Sequence, residues 1–282
     1  MNTQSIIRIA WGLLLLSSVL NAARASRDAD GFLVHRIESP YQAGPTTLRA
    51  LVPDSIEEGK RYPVLYVLPV HEDGLRRHGD GLIEVRKANV HNEFGIICIA
   101  PSFTAKPWFA DHDLNPAKRE ESHMLKTVLP FVESRYPALA SAKGRLLVGF
   151  SKSGWGALSL LLRNPDIFDR AVGWDIGIRV DTGPIEEDDR AERIAREWGT
   201  PENFERYRLS TLVKTRGKAL GDEARLFYFN VEGRRGPGGA ILHQALVEQG
   251  IPHRYVYEPK RDHRWDSGWL PEALSFLLEN RE

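Results

Sequence analysis

The segment Arg145–Pro165, RLLVGFSKSGWGALSLLLRNP, carries the strongest structural signal in the sequence. The apolar run that ends at Phe150 is typical of a buried strand, and the leucine-rich run after Gly154 has helical spacing. Almost no loop is left between them, so the chain must reverse sharply. A serine at the tip of such a turn, here Ser151, is held in a strained conformation with its hydroxyl above the edge of the sheet. The segment therefore predicts a nucleophile elbow.

The elbow pattern fixes which serine is the nucleophile. In the usual Gly-x-Ser-x-Gly pattern, Gly149 fills the first position and Ser153 replaces the second glycine. If Ser153 were the nucleophile instead, Ser151 and the bulky Trp155 would occupy the two positions reserved for small residues. We therefore predict that Ser151 is the nucleophile.

A phosphate-binding loop also joins a strand to a helix through small residues, and the dipeptide Lys152-Ser153 invites the comparison. The Gly-x-x-x-x-Gly-Lys-Ser/Thr pattern would require glycine where the chain has Leu146 and Ser151. The phosphate-loop hypothesis is excluded on that spacing. The remaining alternative to an elbow is an ordinary tight turn with an incidental serine.

Strand-like runs on either side of the elbow alternate with amphipathic helical segments. The runs rich in β-branched and aromatic residues are 31–37, 46–52, 62–70, 94–103, 144–150, 169–176, 224–231 and 253–259. Helices are predicted over about 81–92, 115–136, 154–163, 239–248 and 270–279. The first runs lack helices between them and predict antiparallel pairing, whereas the later continuous apolar runs predict parallel strands covered on both faces. We expect a single α/β domain over 26–282, with a mostly parallel central sheet of about eight strands and helices on both faces.

The charged segment 177–222 has a helical pattern and is interpreted as a crossover or a helical cap, with the crossover favoured. No internal repeat or Pro/Gly-rich linker indicates a second domain.

The N-terminus has the layout of a signal peptide. Arg8 precedes the apolar run 9–20, and Ala23-Arg24-Ala25 forms an A-x-A cleavage site. The apolar run is shorter than the roughly 20 residues that span a membrane. We expect cleavage after Ala25, a secreted or periplasmic protein and no membrane span thereafter; an uncleaved N-terminal anchor is the alternative.

Composition narrows the function classes. The formal net charge is zero, so the basic footprint that nucleic-acid binding requires is missing. Cys98 is the only cysteine, which excludes an intramolecular disulfide, and its apolar strand context predicts a buried, inert thiol. The histidines show no His-x-x-x-His or comparable ligand spacing, so neither a metal nor another cofactor is expected.

Four motifs together resemble the α/β-hydrolases, and within them the esterase D and feruloyl-esterase-like branch of exported esterases. They are YPVLYVLPV at 62–70, GFSKSGWGA at 149–157, RNPDIFDRAVGWD at 163–175 and RDHRWDSGWLPEALSFL at 261–277. The last motif resembles the histidine loop of this family, which maps the catalytic base onto His263. Independently of the resemblance, His263 follows the last strand run and so lies at the same carboxyl edge of the sheet as Ser151. An imidazole there is suited to accept the proton of a serine hydroxyl at neutral pH.

The third catalytic residue should accept the other imidazole N–H. The loop after the run 224–231 is the usual place for this acid in the fold, and it offers Glu232. Asp175 ends the preceding strand run, a position that some lipases use. Asp175 is favoured and Glu232 is the alternative.

The oxyanion hole of this fold combines the N–H of the residue after the nucleophile with one from an earlier strand end. Lys152 supplies the first by its position. Members of the family usually carry His-Gly at the second place, but this chain has Pro69-Val70, and proline has no N–H. The second donor is therefore His71 or Val70.

Several tryptophans lie near the same sheet edge in sequence and are candidates for a substrate pocket. They are Trp108, Trp155 and Trp265, with loop packing as the alternative role of each. These features favour a secreted serine esterase that cleaves a small-molecule or carbohydrate-linked ester through an acyl-enzyme. An acyltransferase with the same triad and a non-catalytic binding protein on a hydrolase scaffold are the alternatives.

Overall fold

The protein forms one nine-stranded mixed sheet with helices on both faces. The computed structural model describes residues 26–72, 76–182, 188–233 and 236–279. The strands are β1 (Ser26–Arg27), β2 (Leu33–Ile37), β3 (Thr46–Leu51), β4 (Val64–Val67), β5 (Ile97–Pro101), β6 (Arg145–Phe150), β7 (Arg170–Trp174), β8 (Leu226–Val231) and β9 (His253–Glu258).

The sheet order is β1-β2-β3-β5-β4-β6-β7-β8-β9. The pairs β1–β2, β2–β3 and β3–β5 are antiparallel, and every pair from β5 to β9 is parallel. The antiparallel start and the parallel remainder are as predicted. The short strand β1 is the one beyond the eight predicted runs, because its two residues are too few to show a period.

The helices follow the predicted segments closely. They are α1 (Gly81–Lys87), α2 (Val90–Glu93), α3 (Glu120–His123), α4 (Leu129–Arg135), α5 (Ser151–Arg163), α6 (Arg179–Thr182), α7 (Asp188–Glu197), α8 (Pro201–Tyr207), α9 (Leu209–Arg216), α10 (Gly236–Glu248) and α11 (Leu270–Leu278). A π-helical turn, Met124–Val128, joins α3 to α4. Helix α5 begins at Ser151, three residues earlier than predicted, because the strand passes into the helix with no loop at all.

Alternate residues of the central strands enter two different cores, as the pleat of a strand requires. Tyr66 and Leu147 pack beneath α4, α5 and α9, while Leu65, Val67 and Val148 face α1 and α11. The central strands are buried on both faces, which explains why they read as continuous apolar runs.

The segment 177–222 carries the chain from β7 to β8 through α6 to α9. Its helices α7 and α8 also contact the loop after β5. His112 Nε2 lies 3.2 Å from the Ala195 carbonyl, and the Asn203 side-chain amide donates to the Asp111 carbonyl at 2.7 Å.

Cys98 is a free, buried thiol of β5, and burial raises its pKa far above the ordinary range. Across the described residues no helix is both long and apolar enough to cross a bilayer. The predicted signal peptide, residues 1–25, lies outside the described residues.

Candidate active site

The elbow places Ser151 at the first residue of α5, directly after β6. Ser151 has a φ of 55°, a left-handed conformation that is uncommon for a residue with a side chain, and it is 8% exposed. Gly149 makes the turn possible, since a Cβ there would lie 2.3 Å from the Ser153 carbonyl oxygen. The strain that the sequence predicted at Ser151 is thus present in the backbone.

Ser153 has a structural role in the same turn. Its side chain is fully buried, and its Oγ accepts from the Phe150 N–H at 3.1 Å and donates to the Phe150 carbonyl at 2.9 Å. The hydroxyl therefore caps the start of α5 and occupies the space that the second glycine of the usual pattern leaves open.

Asp175 contacts His263 at the carboxyl edge of the sheet. The distance between Asp175 Oδ2 and His263 Nδ1 is 2.6 Å, and the Asp175 side chain is 8% exposed. Residues Phe150 and Trp174 are register partners of the parallel pair β6–β7, so Ser151 and Asp175 are the next residues at the ends of adjacent strands. A hydrogen bond from the Gly177 N–H to the Ser151 carbonyl, 2.9 Å, ties the two turns together.

Glu232, the other acid considered for this role, lies elsewhere. It is exposed at the end of β8, and its backbone N–H donates to the Glu258 carbonyl at 2.9 Å. Among the described contacts of His263, the carboxylate belongs to Asp175.

Aromatic rings hold the His263 imidazole from several sides. The Phe150 ring lies 4.9 Å from it in an edge-on arrangement, the Trp174 ring is stacked at 6.1 Å, and the His78 ring is edge-on at 5.5 Å. Because Phe150 immediately precedes Ser151, these contacts place the imidazole beside the elbow. Because Nδ1 faces Asp175, Nε2 is the ring nitrogen that can accept the proton of the Ser151 hydroxyl.

Two further histidines stack in the same region. The His71 and His78 rings are 5.3 Å apart and nearly parallel. Burial lowers the pKa of both side chains, and the charge of Lys152 adds to this at His71 while that of His263 adds to it at His78. Both rings are thus neutral at neutral pH, which spares His263 a fixed positive neighbour when it accepts a proton.

The oxyanion candidates flank the elbow. Lys152 is the second residue of α5, so its N–H belongs to the unbonded N-terminal turn of that helix. Its side chain is half-buried, and burial together with the charge of Lys106 lowers its pKa. Val70 and His71 both line a cavity of about 80 Å³ at the end of β4, and both stay candidates for the second N–H donor.

The three tryptophans that the sequence suggested for a pocket divide into two groups. Trp265 is buried and lines the 80 Å³ cavity with Val70 and His71. Trp108 lies near the elbow, since a Cβ on Gly177 would touch both its indole ring, at 3.4 Å, and Lys152 Cα, at 3.5 Å. Trp155 is fully buried behind Trp108, with ring centroids 5.5 Å apart, so it supports that wall from the core.

Three residues of this region escaped the sequence analysis. Trp198 packs on Trp108 at 5.1 Å, His78 contacts His263, and Glu120 binds the backbone beside Trp108. Trp198 directly follows the charged helix α7, and an aromatic residue at the end of its apolar face was the available signal. Glu120 and His78 stand in segments whose pattern gives no sign of burial.

Among the described residues no group of three or more His, Cys, Asp or Glu side chains is arranged to bind a metal ion.

Comparisons with known proteins concern the fold and the segment that contains the elbow. Residues 105–174 match the family model described as "Putative esterase". A ferulic acid esterase structure is 20% identical, with a TM-score of 0.68 over 88% of this chain and 97% of the other. An S-formylglutathione hydrolase from Agrobacterium tumefaciens is 16% identical, with a TM-score of 0.70 over 88% and 95%.

The fluorophosphonate-binding serine hydrolase FphF from Staphylococcus aureus is 15% identical, with a TM-score of 0.68 over 89% of this chain and 99% of the other. No curated protein matches the sequence. The resemblance inferred from the four motifs is confirmed: the chain has the α/β-hydrolase fold, and its residues 105–174, which include the elbow, match the esterase family.

Proposed function

We propose that the protein is a serine esterase in which Ser151, His263 and Asp175 form the catalytic triad. The observation that carries the proposal is the 2.6 Å contact between Asp175 and His263, beside a serine held at positive φ at the end of the adjacent strand. A buried carboxylate, an oriented imidazole and a strained serine are the parts that acyl transfer requires.

The reaction follows from these positions. His263 Nε2 removes the proton of Ser151 as Oγ attacks the ester carbonyl, and a tetrahedral oxyanion forms. Asp175 accepts the Nδ1–H and stabilises the imidazolium. The imidazolium then protonates the leaving alcohol, which gives an acyl-enzyme, and water activated by the same imidazole releases the acid.

The oxyanion is stabilised by the Lys152 N–H and by an N–H of His71 or Val70. Because Lys152 lies in the first turn of α5, the positive end of the helix dipole adds to this stabilisation. The strand end next to this site carries Pro69 in place of a residue with an N–H, so we expect the second donor to come from the residues that follow it.

The substrate class is a carboxylic ester of a small molecule or of a carbohydrate. The similarity to a ferulic acid esterase and to a serine hydrolase supports serine-dependent ester hydrolysis. Export by the predicted signal peptide would bring the enzyme to such substrates outside the cytoplasm.

Labelling with a fluorophosphonate probe tests the proposal. We expect one covalent adduct, located on Ser151 by mass spectrometry, and no adduct in Ser151→Ala, because the probe reacts with an activated serine. An adduct on another residue would move the nucleophile, and no adduct on the folded wild type would favour the non-catalytic alternative.

A further inference from the structure

Glu120, the first residue of α3, is a buried carboxyl group that binds the loop beside the elbow. Its side chain is 2% exposed. Oε2 accepts a hydrogen bond from the Trp108 N–H at 2.7 Å and a longer one from the Ala110 N–H at 3.5 Å. Oε1 has no hydrogen-bond partner within the described part of the chain. A buried carboxyl group with one oxygen unpaired destabilises the fold, so the hydrogen bonds that it does make stand out.

The two bound N–H groups flank a strained residue. Phe109 has a φ of 57°, which a bulky side chain adopts only when its surroundings enforce it. The Phe109 ring packs against α5 at Gly156, where a Cβ would come within 2.1 Å of the ring. Arg163 of α5 donates to the Phe109 carbonyl at 2.8 Å. Glu120 thus holds the loop from one side while α5 holds it from the other.

The strained turn determines where Trp108 lies. Its indole ring sits against Gly177, whose N–H donates to the Ser151 carbonyl, and Trp155 and Trp198 back it from the core. A shift of the Trp108 backbone would move the ring relative to the turn that carries the nucleophile. The rigid wall next to Ser151 therefore depends on the hydrogen bonds that Glu120 accepts.

We propose that Glu120 is a positioning residue that fixes Trp108 beside the turn that carries Ser151, and so sets the preference of the enzyme for acyl groups of different length. The proposal rests on the esterase function and deepens it. Glu120 is not a catalytic residue, since it acts on substrate only through the Trp108 backbone.

The test is the ratio of kcat/KM for 4-nitrophenyl hexanoate to that for 4-nitrophenyl acetate. Glu120→Ala should raise this ratio about threefold or more, because a loosened indole admits the longer chain and positions the shorter one less well. Glu120→Gln should keep the wild-type ratio, since its amide oxygen can still accept both N–H groups. Glu120→Asp shortens the side chain by one methylene and moves the carboxyl oxygens away from the two N–H groups. It should shift the ratio in the same direction as Glu120→Ala, and it serves as the second variant if Glu120→Ala does not fold.

Asp181 offers a matched control. It is 1% exposed and accepts two backbone N–H groups, from Leu209 at 2.6 Å and Ser210 at 3.1 Å, but it holds the start of α9 rather than the wall. Asp181→Asn should lower stability without moving the ratio. Trp108→Ala should raise the ratio by itself, and adding Glu120→Ala to it should have little further effect, because both changes act on the same wall.

Amide hydrogen exchange at Trp108 and Ala110 reports on the loop without any activity. Protection should fall in Glu120→Ala and persist in Glu120→Gln. If the wild type hydrolyses neither ester, the proposed esterase function is wrong. Hydrogen exchange at Trp108 and Ala110 then still shows whether Glu120 holds this loop. If the wild type is active and the ratio is unchanged in Glu120→Ala and Glu120→Asp, or is moved equally by Asp181→Asn, the positioning role is overturned.

Discussion

Ser151 and Asp175 share a backbone conformation that residues with side chains seldom adopt, with φ of 55° and 39°. Both are the first residues beyond a strand, and the two strands are parallel neighbours. Each conformation costs on the order of 1–3 kcal/mol and persists only when the surrounding structure enforces it. The two turns direct the side chains of Ser151 and Asp175 out of the sheet edge toward one place. There the imidazole of His263 contacts the Asp175 carboxylate.

Replacement of Asp175 tests the acid directly. Asp175→Asn should leave the protein folded but lower kcat by about 10³–10⁴-fold, since an amide neither selects the tautomer nor stabilises the imidazolium. Ester hydrolysis with circular dichroism as the folding check measures this. The control is Glu232→Gln, which changes an exposed carboxylate and should cost little. A severe Glu232→Gln with a mild Asp175→Asn would transfer the role to Glu232.

At the scale of elements, helix α5 and the loop after β5 shape the site together. The helix begins at the nucleophile without an intervening loop, and Ser153 caps its first turn where many such elbows have glycine. The loop is held by Glu120 at its far side and by the ring of Phe109 against the helix. Helix α5 therefore positions both the nucleophile, Ser151, and the loop that carries Trp108 beside it.

Loss of the Ser153 cap should destabilise the start of α5 without removing the nucleophile. Ser153→Ala leaves the buried Phe150 N–H without its side-chain acceptor, so we expect the free energy of unfolding to fall by about 1–2 kcal/mol. Urea denaturation measures that loss. Labelling of Ser151 by the fluorophosphonate probe should persist, and its disappearance in the folded variant would show that Ser153 takes part in the chemistry.

At the scale of the whole molecule, two buried groups make stability depend on pH in opposite directions. Burial raises the pKa of Glu120 to about 8 and lowers that of His123 to about 4. The His123 ring is fully buried, with Nδ1 2.9 Å from Ser39 Oγ. Each group is neutral in the folded protein. Glu120 becomes charged when the chain unfolds at neutral pH, and His123 becomes charged when it unfolds in mild acid.

The sign of each effect follows from these pKa values. Glu120 is neutral when folded and ionised when unfolded between about pH 4.5 and 8, so its contribution to stability is lost as the pH rises through that range. His123 is neutral when folded and protonated when unfolded between about pH 6.5 and 4, so its contribution is lost as the pH falls. Each effect amounts to a few kcal/mol over its range, on the order of 1.4 kcal/mol per pH unit.

Urea denaturation across pH 4 to 9 checks both effects. Glu120→Gln should gain stability relative to the wild type as the pH rises from 5 to 8, and His123→Gln should gain as the pH falls from 6.5 to 4. A stability difference between Glu120→Gln and the wild type that does not change with pH would mean that Glu120 is ionised in the folded protein.

Export is a further prediction at this scale. We expect cleavage after Ala25, so that the protein recovered from a bacterial periplasm or culture medium begins at Ser26. Intact-mass measurement of that protein checks the site. Recovery of the full-length chain in the membrane fraction would instead support the uncleaved anchor.

The sequence by itself determined the alternation of strands and helices, the elbow at Ser151 and the place of His263. These features are local: the period of apolar residues, a turn of small residues and the carboxyl end of a strand are each contained in a few consecutive residues. For the same reason the antiparallel start of the sheet and the parallel direction of its later strands followed from the runs and the helices between them.

Tertiary structure alone decided which side chains meet. Asp175 and Glu232 both follow apolar strands, and only the pairing of β6 with β7 brings Asp175 next to the elbow and leaves Glu232 exposed. Trp155 had the same pattern as a pocket residue but packs in the core, and Glu120 gave no signal at all. Contacts between residues far apart in the chain depend on how whole elements pack, and local periodicity does not encode the position of one strand end relative to another.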